Sequence, residues 1–372
     1  MKIVIASDSF KGSMSSVDVA QAAEKGIHEV MPDCQVVAVN VADGGEGTVE
    51  AIVEALGGEI VKVEVSDPLG RKIEASYGIA GDTAIIEMAA ASGLPLLKPE
   101  ERNPWLTSTY GTGEMIMDAI SRGCRKFLVG IGGSATNDAG TGMLQAMGFR
   151  FYDINGEMID HCAGGRMAEI ARIDDSHVSA EVRQAVFTVA CDVDTPFCGP
   201  EGAAPVFAPQ KGADSEMVSR LDAGMVSLAK VIASKYAVDV VPVAGAGAAG
   251  GMGGAFYAFL HATLKKGIDM VLDAIDFDTT IQGADLVITG EGKVDFQTAK
   301  GKTAAGVLAR AKKQHISVIA IGGCVELCDS LLQMGFAGIY PILEEKVPLE
   351  VAMQRDFAMS NVTKTVARVL SR

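Results

Sequence analysis

The sequence predicts an α/β fold with two domains, one an open parallel sheet built from the N- and C-terminal segments and the other a mixed α/β domain inserted in the middle. Short apolar runs alternate with helix-like runs through most of the 372 residues, as in helix-covered parallel sheets. At 59–90 this pattern is interrupted by a stretch with two turns in which apolar and polar residues alternate. The strand–turn–helix pattern returns at 284–342. We expect one domain at 1–65 plus 280–372 and the other at 66–279.

The individual helices and strands are predicted from hydrophobic periodicity and from the glycine or proline residues at which they end. Helical spacing that ends at glycine or proline predicts helices at 16–31, 47–58 and 111–123. The turn at 67–70 lies between alternating runs and predicts antiparallel strands within 59–90. Six apolar runs that end in glycine-rich turns predict buried strands: 2–6, 35–41, 126–131, 185–190, 284–289 and 317–321.

The position of these six turns predicts an enzyme. In open α/β sheets, ligands bind beyond the carboxyl ends of the strands, on loops that lead into helices. Glycine lets the backbone approach a phosphate, and carboxylates can hold a divalent cation. We therefore interpret the chain as an enzyme for a phosphorylated ligand.

The bulk properties exclude several other classes of protein. A net charge of −15 argues against nucleic acid or an anionic membrane as a partner. Residues 240–260 are uncharged and long enough to span a bilayer, but six glycines and a proline favour a glycine-rich loop that leads into a buried helix. Seven scattered cysteines suit a reducing cytosol, and the N-terminus lacks a secretory signal, so we expect a cytoplasmic protein.

The first turn, at 7–13, combines Ser7, Asp8, Ser9 and Lys11 in front of a helix. Backbone N–H groups at a helix N-terminus favour an anion, and the lysine adds positive charge. We interpret this turn as part of a phosphate or substrate site. Ordinary capping by serine and aspartate is the structural alternative.

The second turn, at 42–48, places Asp43 and Glu46 around Gly44 and Gly45. Carboxylates in such a turn suit Mg²⁺ binding or the acceptance of a proton from a substrate hydroxyl. The alternative is an acidic helix start that complements the helix dipole.

The segment 130–142 has the composition of an anion-binding loop and opens a helix. No lysine follows in the Walker position, and Thr136 stands where a nucleophile elbow needs glycine. We expect phosphate or substrate binding at Gly132, Gly133, Ser134, Thr136 and Asn137.

The segment 191–213 begins with Asp192 and Asp194 just after a predicted strand. It continues through a proline-rich loop to Lys211. Long loops inside compact domains are usually functional, so we expect Asp192 and Lys211 to contribute to the site.

The segment 290–303 carries Gly290, Glu291, Lys293 and Lys302 ahead of a further helix. Its end resembles part of a Walker A motif, but the first glycine is missing. Lysines at a helix start oppose the helix dipole, which indicates that an anion is bound there.

One motif favours a different activity. Residues 245–250 match the GxGxxG dinucleotide fingerprint, and Asp269 follows about 20 residues later. The motif continues in further glycines and is looser than a single tight turn. An NAD-dependent dehydrogenase is therefore an alternative, and a backbone contact to a nucleotide or a domain-joining turn is the preferred interpretation.

Taken together, these segments resemble the type 1 glycerate kinase family, which phosphorylates D-glycerate with ATP. The matching motifs occur in order along nearly the whole chain, and their combination is far more specific than any one of them. They are 8–13, 42–48, 67–71, 130–143, 191–197, 207–213, 245–253 and 289–302.

The resemblance implies a Rossmann- or flavodoxin-like domain, a second α/β domain, and an active site in the cleft between them. It implies D-glycerate and ATP as small-molecule substrates, with 2-phosphoglycerate and ADP as products. Neither the residues nor the resemblance decides whether the chain forms a homo-oligomer. A kinase for another small hydroxy or sugar acid and a non-catalytic nucleotide sensor remain alternatives.

Phosphoryl transfer depends on positioning and on charge neutralisation, which assigns hypothetical roles to the charged residues. Lys11, Lys211 or Lys293 would neutralise the phosphate oxygens. Carboxylates would hold Mg²⁺ directly or through water, namely Asp43, Glu46, Asp192 and Glu291.

The remaining roles concern the proton and the substrate carboxylate. Asp192 is preferred over Asp43 as the group that orients or deprotonates the glycerate hydroxyl. Arg71 or the helix start at 134–137 would receive the carboxylate of glycerate. The phosphates of ATP would bind at the glycine-rich helix start near residue 132 or at the one near residue 290.

Overall fold

The computed structural model describes residues 1–45, 47–343, 345 and 347–371, apart from the side chain of Lys300. Most predicted strands and helices are present close to their expected limits. The strands are β1 (Lys2–Ser7), β2 (Gln35–Asn40), β3 (Glu59–Ser66), β4 (Lys72–Ala80), β5 (Thr83–Glu87), β6 (Lys126–Gly130), β7 (Arg150–Tyr152), β8 (Arg172–Asp174), β9 (Val186–Ala190), β10 (Thr263–Lys265), β11 (Leu286–Val294), β12 (Ser317–Val325) and β13 (Gly338–Pro341).

The α-helices vary from single turns to more than twenty residues, and short 3₁₀ helices lie between some of them. They are α1 (Ser16–Val30), α2 (Thr48–Leu56), α3 (Ala89–Ser92), α4 (Tyr110–Ser121), α5 (Thr141–Ala146), α6 (Ala180–Gln184), α7 (Ala203–Phe207), α8 (Ser215–Tyr236), α9 (Ala248–Leu260), α10 (Gly267–Ala274), α11 (Phe277–Thr280), α12 (Thr303–Lys313), α13 (Asp329–Gln333), α14 (Leu349–Ala352) and α15 (Arg355–Leu370).

The chain forms two compact units, as the sequence predicts. The first unit contains Met1–Leu56 and Ile268–Arg372, and the second contains Gly57–Gly267. The divisions fall ahead of the expected positions near 65 and 280. The first division precedes β3 because β3 pairs with β4 over its whole length and so belongs to the second unit.

The first unit is an open sheet of five strands in the order β13-β12-β11-β1-β2, and every neighbouring pair is parallel. Its strands come from both ends of the chain, which confirms the predicted fold class. Helix α1 begins at a capping box, in which Ser15 Oγ accepts the Asp18 N–H and the Asp18 carboxylate accepts the Ser15 N–H. Ser15 is therefore the N-cap residue of α1.

The second unit contains a mixed sheet of six strands in the order β10-β9-β6-β5-β4-β3. Strands β3, β4 and β5 are antiparallel neighbours, which confirms the strands predicted within 59–90. Strands β5, β6, β9 and β10 are parallel, so the carboxyl ends of β6 and β9 lie side by side. Each unit has its own apolar core.

Two of the six predicted turns are wrong. Residues 290–294 continue β11, and Gly322 and Gly323 lie inside β12, because the parallel ladder between these strands extends from Leu286↔Ser317 to Val294↔Val325. Gly290 is required by close packing within the sheet, since a Cβ there would lie 2.8 Å from the Ile321 carbonyl oxygen.

The uncharged stretch 240–260 forms a loop that leads into the buried helix α9, as predicted. None of the helices in the described part of the chain is long and apolar enough to cross a membrane.

Candidate active site

A cavity of about 710 Å³ lies in the first unit, at the carboxyl ends of the strands of its parallel sheet. One side of the cavity is formed by charged residues from β1, β2, β11 and the start of α12. The other side is formed by aliphatic residues that follow β13. The charged residues that line it are Asp8, Lys11, Asp43, Glu291, Lys293, Lys302 and Glu345.

Asp8 is buried at the end of β1 and faces this cavity. Its Oδ1 accepts the Ser9 N–H at 2.7 Å, and its Oδ2 accepts the Thr303 hydroxyl at 2.9 Å. Burial raises the pKa of Asp8, and the nearby Asp43 charge raises it further, while the bonds from Thr303 and Ser9 act in the opposite direction. The carboxylate is thus fixed in orientation but only partly compensated in charge.

Glu291 is the second buried carboxyl group of the cavity. Its Oε1 accepts the Ala304 N–H at 3.0 Å, and its Oε2 accepts the Thr298 hydroxyl at 3.4 Å. Burial raises the pKa of Glu291 to about 7, although the bond from Ala304 and the charge of Lys302 lower it. Close to neutral pH, this group is able to take up or release a proton.

The start of helix α12 therefore binds two anions of the protein itself. Thr303 contacts Asp8 and the Ala304 N–H contacts Glu291, so the helix N-terminus orients both carboxylates. Lys302 occupies the N-cap position beside them. Two carboxylates of the protein thus lie at this helix start. The binding of a ligand anion by the lysines stays a prediction.

Asp43 and Lys11 form a more exposed pair at the same cavity. Their Oδ2 and Nζ atoms are 3.7 Å apart. Asp43 Oδ1 also accepts the Gly45 N–H at 3.1 Å, and Gly44 adopts a left-handed φ of 88° that favours glycine. The turn therefore presents one carboxylate oxygen toward the lysine. The remaining residue of the predicted set, Glu46, lies outside the described residues.

The other predicted residues of the first unit have mainly internal partners. The Ser7 hydroxyl donates to the Gly290 carbonyl oxygen at 3.1 Å, so both residues hold β1 against β11. Lys293 Nζ lies 3.2 Å from Asp295 and 3.0 Å from Glu326. Lys293 lines the cavity, but its charge is already shared by two carboxylates.

The described residues contain no group of three or more His, Cys, Asp or Glu side chains arranged to hold a metal ion. Mg²⁺ that arrives with a nucleotide is usually held by one or two protein carboxylates together with substrate phosphates and water. Asp8, Asp43 and the predicted ligand Glu291 are described carboxylates of the cavity, and one or two of them would suit this role.

A second polar cluster lies in the second unit, in the turn after β6. Lys211 is only 1% exposed, and its Nζ donates to Ser134 Oγ and to the Thr136 carbonyl oxygen, both at 2.7 Å. Burial lowers the pKa of Lys211 to about 7, and the charge of Asp138 acts in the opposite direction. The structure thus brings three of the predicted site residues together: Ser134, Thr136 and Lys211.

The same turn contains polar atoms that lack a partner within the described part of the chain. They are Thr136 Oγ1 and Asn137 Oδ1, both fully buried. Gly132 and Gly133 are exposed at the start of the turn, and Gly133 has a left-handed φ of 73°. Exposed glycines beside unsatisfied buried acceptors suit a loop that receives a polar ligand.

Asp192 follows β9 and therefore starts from the same sheet edge as this turn. It is exposed, and its Oδ1 accepts the Gly267 N–H at 2.9 Å. Arg71 is engaged elsewhere in the second unit, where its guanidinium lies 2.5 Å from Asp67 and 2.7 Å from Glu101. These pairs hold the 67–71 turn, and the predicted binding of a substrate carboxylate by Arg71 has no support in its present contacts.

The glycines at 245–250 have a packing role, which removes the dinucleotide interpretation. The described residues 237–247 contain no strand, although the fingerprint requires one before its turn. A Cβ on Gly250 would lie 2.2 Å from the Thr136 carbonyl oxygen, and one on Gly247 would lie 2.2 Å from the Pro196 carbonyl oxygen. The glycines permit a close approach of protein backbone, and Gly250 packs directly against the 134–137 turn.

Sequence reasoning missed three features of these clusters. Thr303 follows Lys302, which was selected for its charge. No sequence pattern indicated a role for the Thr303 hydroxyl. Asp138 is fully buried and accepts four bonds, from Thr109 N, Thr109 Oγ1, Gly140 N and Gly142 N, so it fixes the turn after β6. The aliphatic wall around 342–353 lacks a motif and is found only from the fold.

The chain is similar over nearly its whole length to known proteins. The sequence model of the Glycerate kinase family matches residues 3–372. A glycerate kinase of Halalkalibacterium halodurans is 45% identical over 373 residues, which cover 99% of this chain and 98% of the relative. A glycerate 2-kinase of Escherichia coli is 46% identical over 377 residues, with 99% and 98% covered.

A solved structure from Salmonella typhimurium LT2, described as a glycerate kinase 2, has 45% sequence identity and a TM-score of 0.91. The match covers 100% of this chain and 97% of that one. The family resemblance of the motifs is thereby confirmed, and the chain belongs to the glycerate kinase family, whose members are phosphotransferases.

Proposed function

We propose that the protein transfers the γ-phosphoryl group of ATP to D-glycerate and releases 2-phosphoglycerate and ADP. Family membership supports the reaction class. The observation that carries the proposal is the cavity at the carboxyl ends of β1, β2 and β11, where Asp8, Asp43 and Glu291 face Lys11 and Lys302. Mixed charges of this kind suit phosphate groups that arrive with a cation.

In the proposed step, a hydroxyl oxygen of glycerate attacks the γ-phosphorus and the bond to the β-phosphate oxygen breaks. Lys11 and Lys302 would offset charge on the phosphate oxygens, and Asp8 and Asp43 would hold magnesium. Bound magnesium would supply charge neutralisation of the phosphates. The proton of the hydroxyl would pass to a carboxylate, for which Asp192 remains the choice and Asp43 the alternative.

The turn after β6 is the proposed binding region for glycerate. Its polar atoms, Thr136 Oγ1 and Asn137 Oδ1, are suited to substrate hydroxyls, and the Lys211 ammonium is suited to an anion. The location of the complete site in a cleft between the domains stays a prediction, as does magnesium itself.

An ADP-release assay over a panel of small hydroxy and sugar acids tests the reaction and the acceptor. D-glycerate is expected to give the highest kcat/KM, and a different preferred acid would contradict the assignment. Proton-coupled ³¹P NMR tests the position of the phosphate. A phosphate on C2 couples to one proton and gives a doublet, whereas a phosphate on C3 couples to two protons and gives a triplet.

Replacement of Thr303 by valine is expected to lower kcat about tenfold, because a buried carboxylate loses one of its donors. Without the Thr303 hydroxyl, the pKa of Asp8 rises further, since that bond now lowers it. The acidic limb of the kcat/KM profile should therefore move to higher pH. The readout is a pH–rate profile of the variant beside the unchanged enzyme.

Thr303→Ser is the matched control, since it keeps the hydroxyl and removes only a methyl group. It should retain most of the activity and the original pH profile. If valine and serine had equal effects, or if valine lowered kcat without moving the profile, Thr303 would not act through Asp8.

A further inference from the structure

The cavity of the first unit has two unlike ends. The charged end lies at β1, β2 and β11, as described above. The opposite end follows β13 and is aliphatic, formed by Ile342, Leu343, Leu349, Met353 and Ala358. These five residues carry no charge and suit an apolar surface of a ligand. Glu345, in the same segment after β13, also lines the cavity and is charged.

The two ends meet at the turn that carries Lys11. The Met353 side chain lies against Gly12, where an added Cβ would be 2.9 Å from Met353 Cε. Gly12 has a left-handed φ of 77° and follows Lys11 directly. A ligand that touches Lys11 with an anionic group therefore has apolar surface within reach on the same side of the cavity.

The aliphatic end also exposes apolar surface to solvent. Leu349 at the start of α14 is 75% exposed, and Leu343 and Met353 are partly exposed. Leaving such a cluster open in water is unfavourable, and covering it would release free energy in proportion to the apolar area removed from solvent.

We propose that this aliphatic end, formed mainly by Leu343, Leu349 and Met353, is the binding site for the nucleobase of the phosphoryl donor. The inference rests on the proposed function and adds the part of the donor that the first unit recognises. The lysines of the charged end then face the phosphates. The cavity thus matches a nucleoside triphosphate, which is anionic at one end and uncharged at the other.

The size and chemistry of the two substrates support this assignment. Every carbon of glycerate bears an oxygen, so glycerate gains nothing from an aliphatic wall. A nucleobase has two flat faces that bury apolar area against aliphatic side chains. The volume of about 710 Å³ is also in the range of sites for nucleotide-sized ligands and is larger than a three-carbon acid needs.

Steady-state kinetics with Leu343→Asn and Met353→Gln tests the proposal. Both substitutions are neutral and nearly preserve side-chain size, so the net charge of the cavity is unchanged. The KM for ATP is expected to rise on the order of tenfold, because apolar contact area is lost. Inorganic tripolyphosphate, which has no base, should keep its inhibition constant against ATP in both variants.

Leu332→Asn is the control, since Leu332 is exposed on α13 and does not line the cavity. It should leave the KM for ATP unchanged. The proposal would be overturned if the cavity variants kept the wild-type KM for ATP, or if the inhibition constant of tripolyphosphate rose by the same factor as that KM. The absence of any ADP formation by the unchanged enzyme would instead overturn the proposed function.

Photolabelling of the unchanged enzyme with 8-azido-ATP tests the same site without a substitution. Label that unmodified ATP suppresses is expected in the tryptic peptides that carry Leu343 or Met353. Suppressible label confined to peptides from residues 57–267 would place the base elsewhere and overturn the proposal.

Discussion

Replacement of Asp43 by asparagine is expected to lower kcat by about 10²–10³-fold, the usual loss when a charged catalytic or metal-binding group is removed. Asparagine keeps an oxygen that can accept the Gly45 N–H, so the turn after β2 should persist. What is lost is the negative charge beside Lys11, which now lies 3.7 Å away. The variant therefore isolates the charge from the backbone geometry.

Titration with Mg²⁺ separates the two roles that were considered for Asp43. If the carboxylate holds magnesium, a higher Mg²⁺ concentration will restore part of kcat in the variant. If it accepts the proton of the substrate, no concentration of Mg²⁺ will restore the rate, and the pH profile will lose one limb. Asp33→Asn, on an exposed turn of the same unit, is the control. It should change neither kcat nor its dependence on Mg²⁺.

Near-normal turnover of Asp43→Asn at ordinary Mg²⁺ concentration would remove Asp43 from both roles. Asp8 would then be the described carboxylate best placed to hold the cation, because it faces the same cavity with both oxygens already oriented. The experiment thus decides whether Asp43 is needed to bind magnesium or to accept the proton. Its outcome does not depend on the position of Asp192.

Much of the fold could be predicted from local pattern, since apolar runs such as 126–131 become strands wherever a sheet buries them. The failures occur where partners distant in sequence decide the structure. Residues 290–294 contain two glycines and two charges, which is a typical turn composition, yet they extend β11 because β12 offers a parallel partner as far as Val325. Local composition carries no record of that partner.

The same limit applies to the candidate site. Asp8, Lys11 and Asp43 could be chosen because each stands in a glycine-rich turn after a strand. The contact between Asp8 and Thr303 joins residues 295 positions apart, so only the folded chain reveals it. The aliphatic wall near Leu343 was missed for a different reason, since apolar residues in a sequence are interpreted as core unless their exposure is known.

Lys211 is expected to make the stability of the second unit depend on pH in a specific window. Its side chain is fully buried and has two oxygen partners, Ser134 Oγ and the Thr136 carbonyl, neither of which is charged. Burial lowers its pKa from an ordinary 10.5 to about 7. The folded state therefore binds this proton less tightly than the unfolded state does.

The sign of the effect follows from proton linkage. Between pH 7 and 10.5 the unfolded chain holds more protons at this site, so the free energy of unfolding rises with pH, by at most about 1.4 kcal/mol per pH unit. Below about pH 6 both states are protonated and the slope vanishes. From pH 7 to 9, the gain from this one group should be about 2 kcal/mol.

Lys211→Met removes the titrating group and keeps an unbranched side chain of similar length. The difference in unfolding free energy between the wild type and this variant should rise by that amount from pH 7 to 9 and stay flat below pH 6. Trp105 is the sole tryptophan of the chain and belongs to the second unit, so its fluorescence in denaturant titrations follows the unit that holds Lys211. Lys230→Met, exposed on α8, is the control and should show no such slope.

If the difference in unfolding free energy between the wild type and Lys211→Met did not change between pH 7 and 9, Lys211 would stay charged in the folded protein. The buried cluster would then have to contain a compensating anion beyond Asp138. If that difference in unfolding free energy rises, the Lys211 amine changes charge near neutral pH. This amine lies next to the turn proposed for glycerate. Binding of an anion beside that amine favours its protonated form, so D-glycerate should raise the folded-state pKa of Lys211 and move the lower limit of the window to higher pH. The upper limit is set by the unfolded chain and should stay where it is. This shift requires no turnover, and it would place the substrate at Ser134–Asn137 independently of any loss of activity.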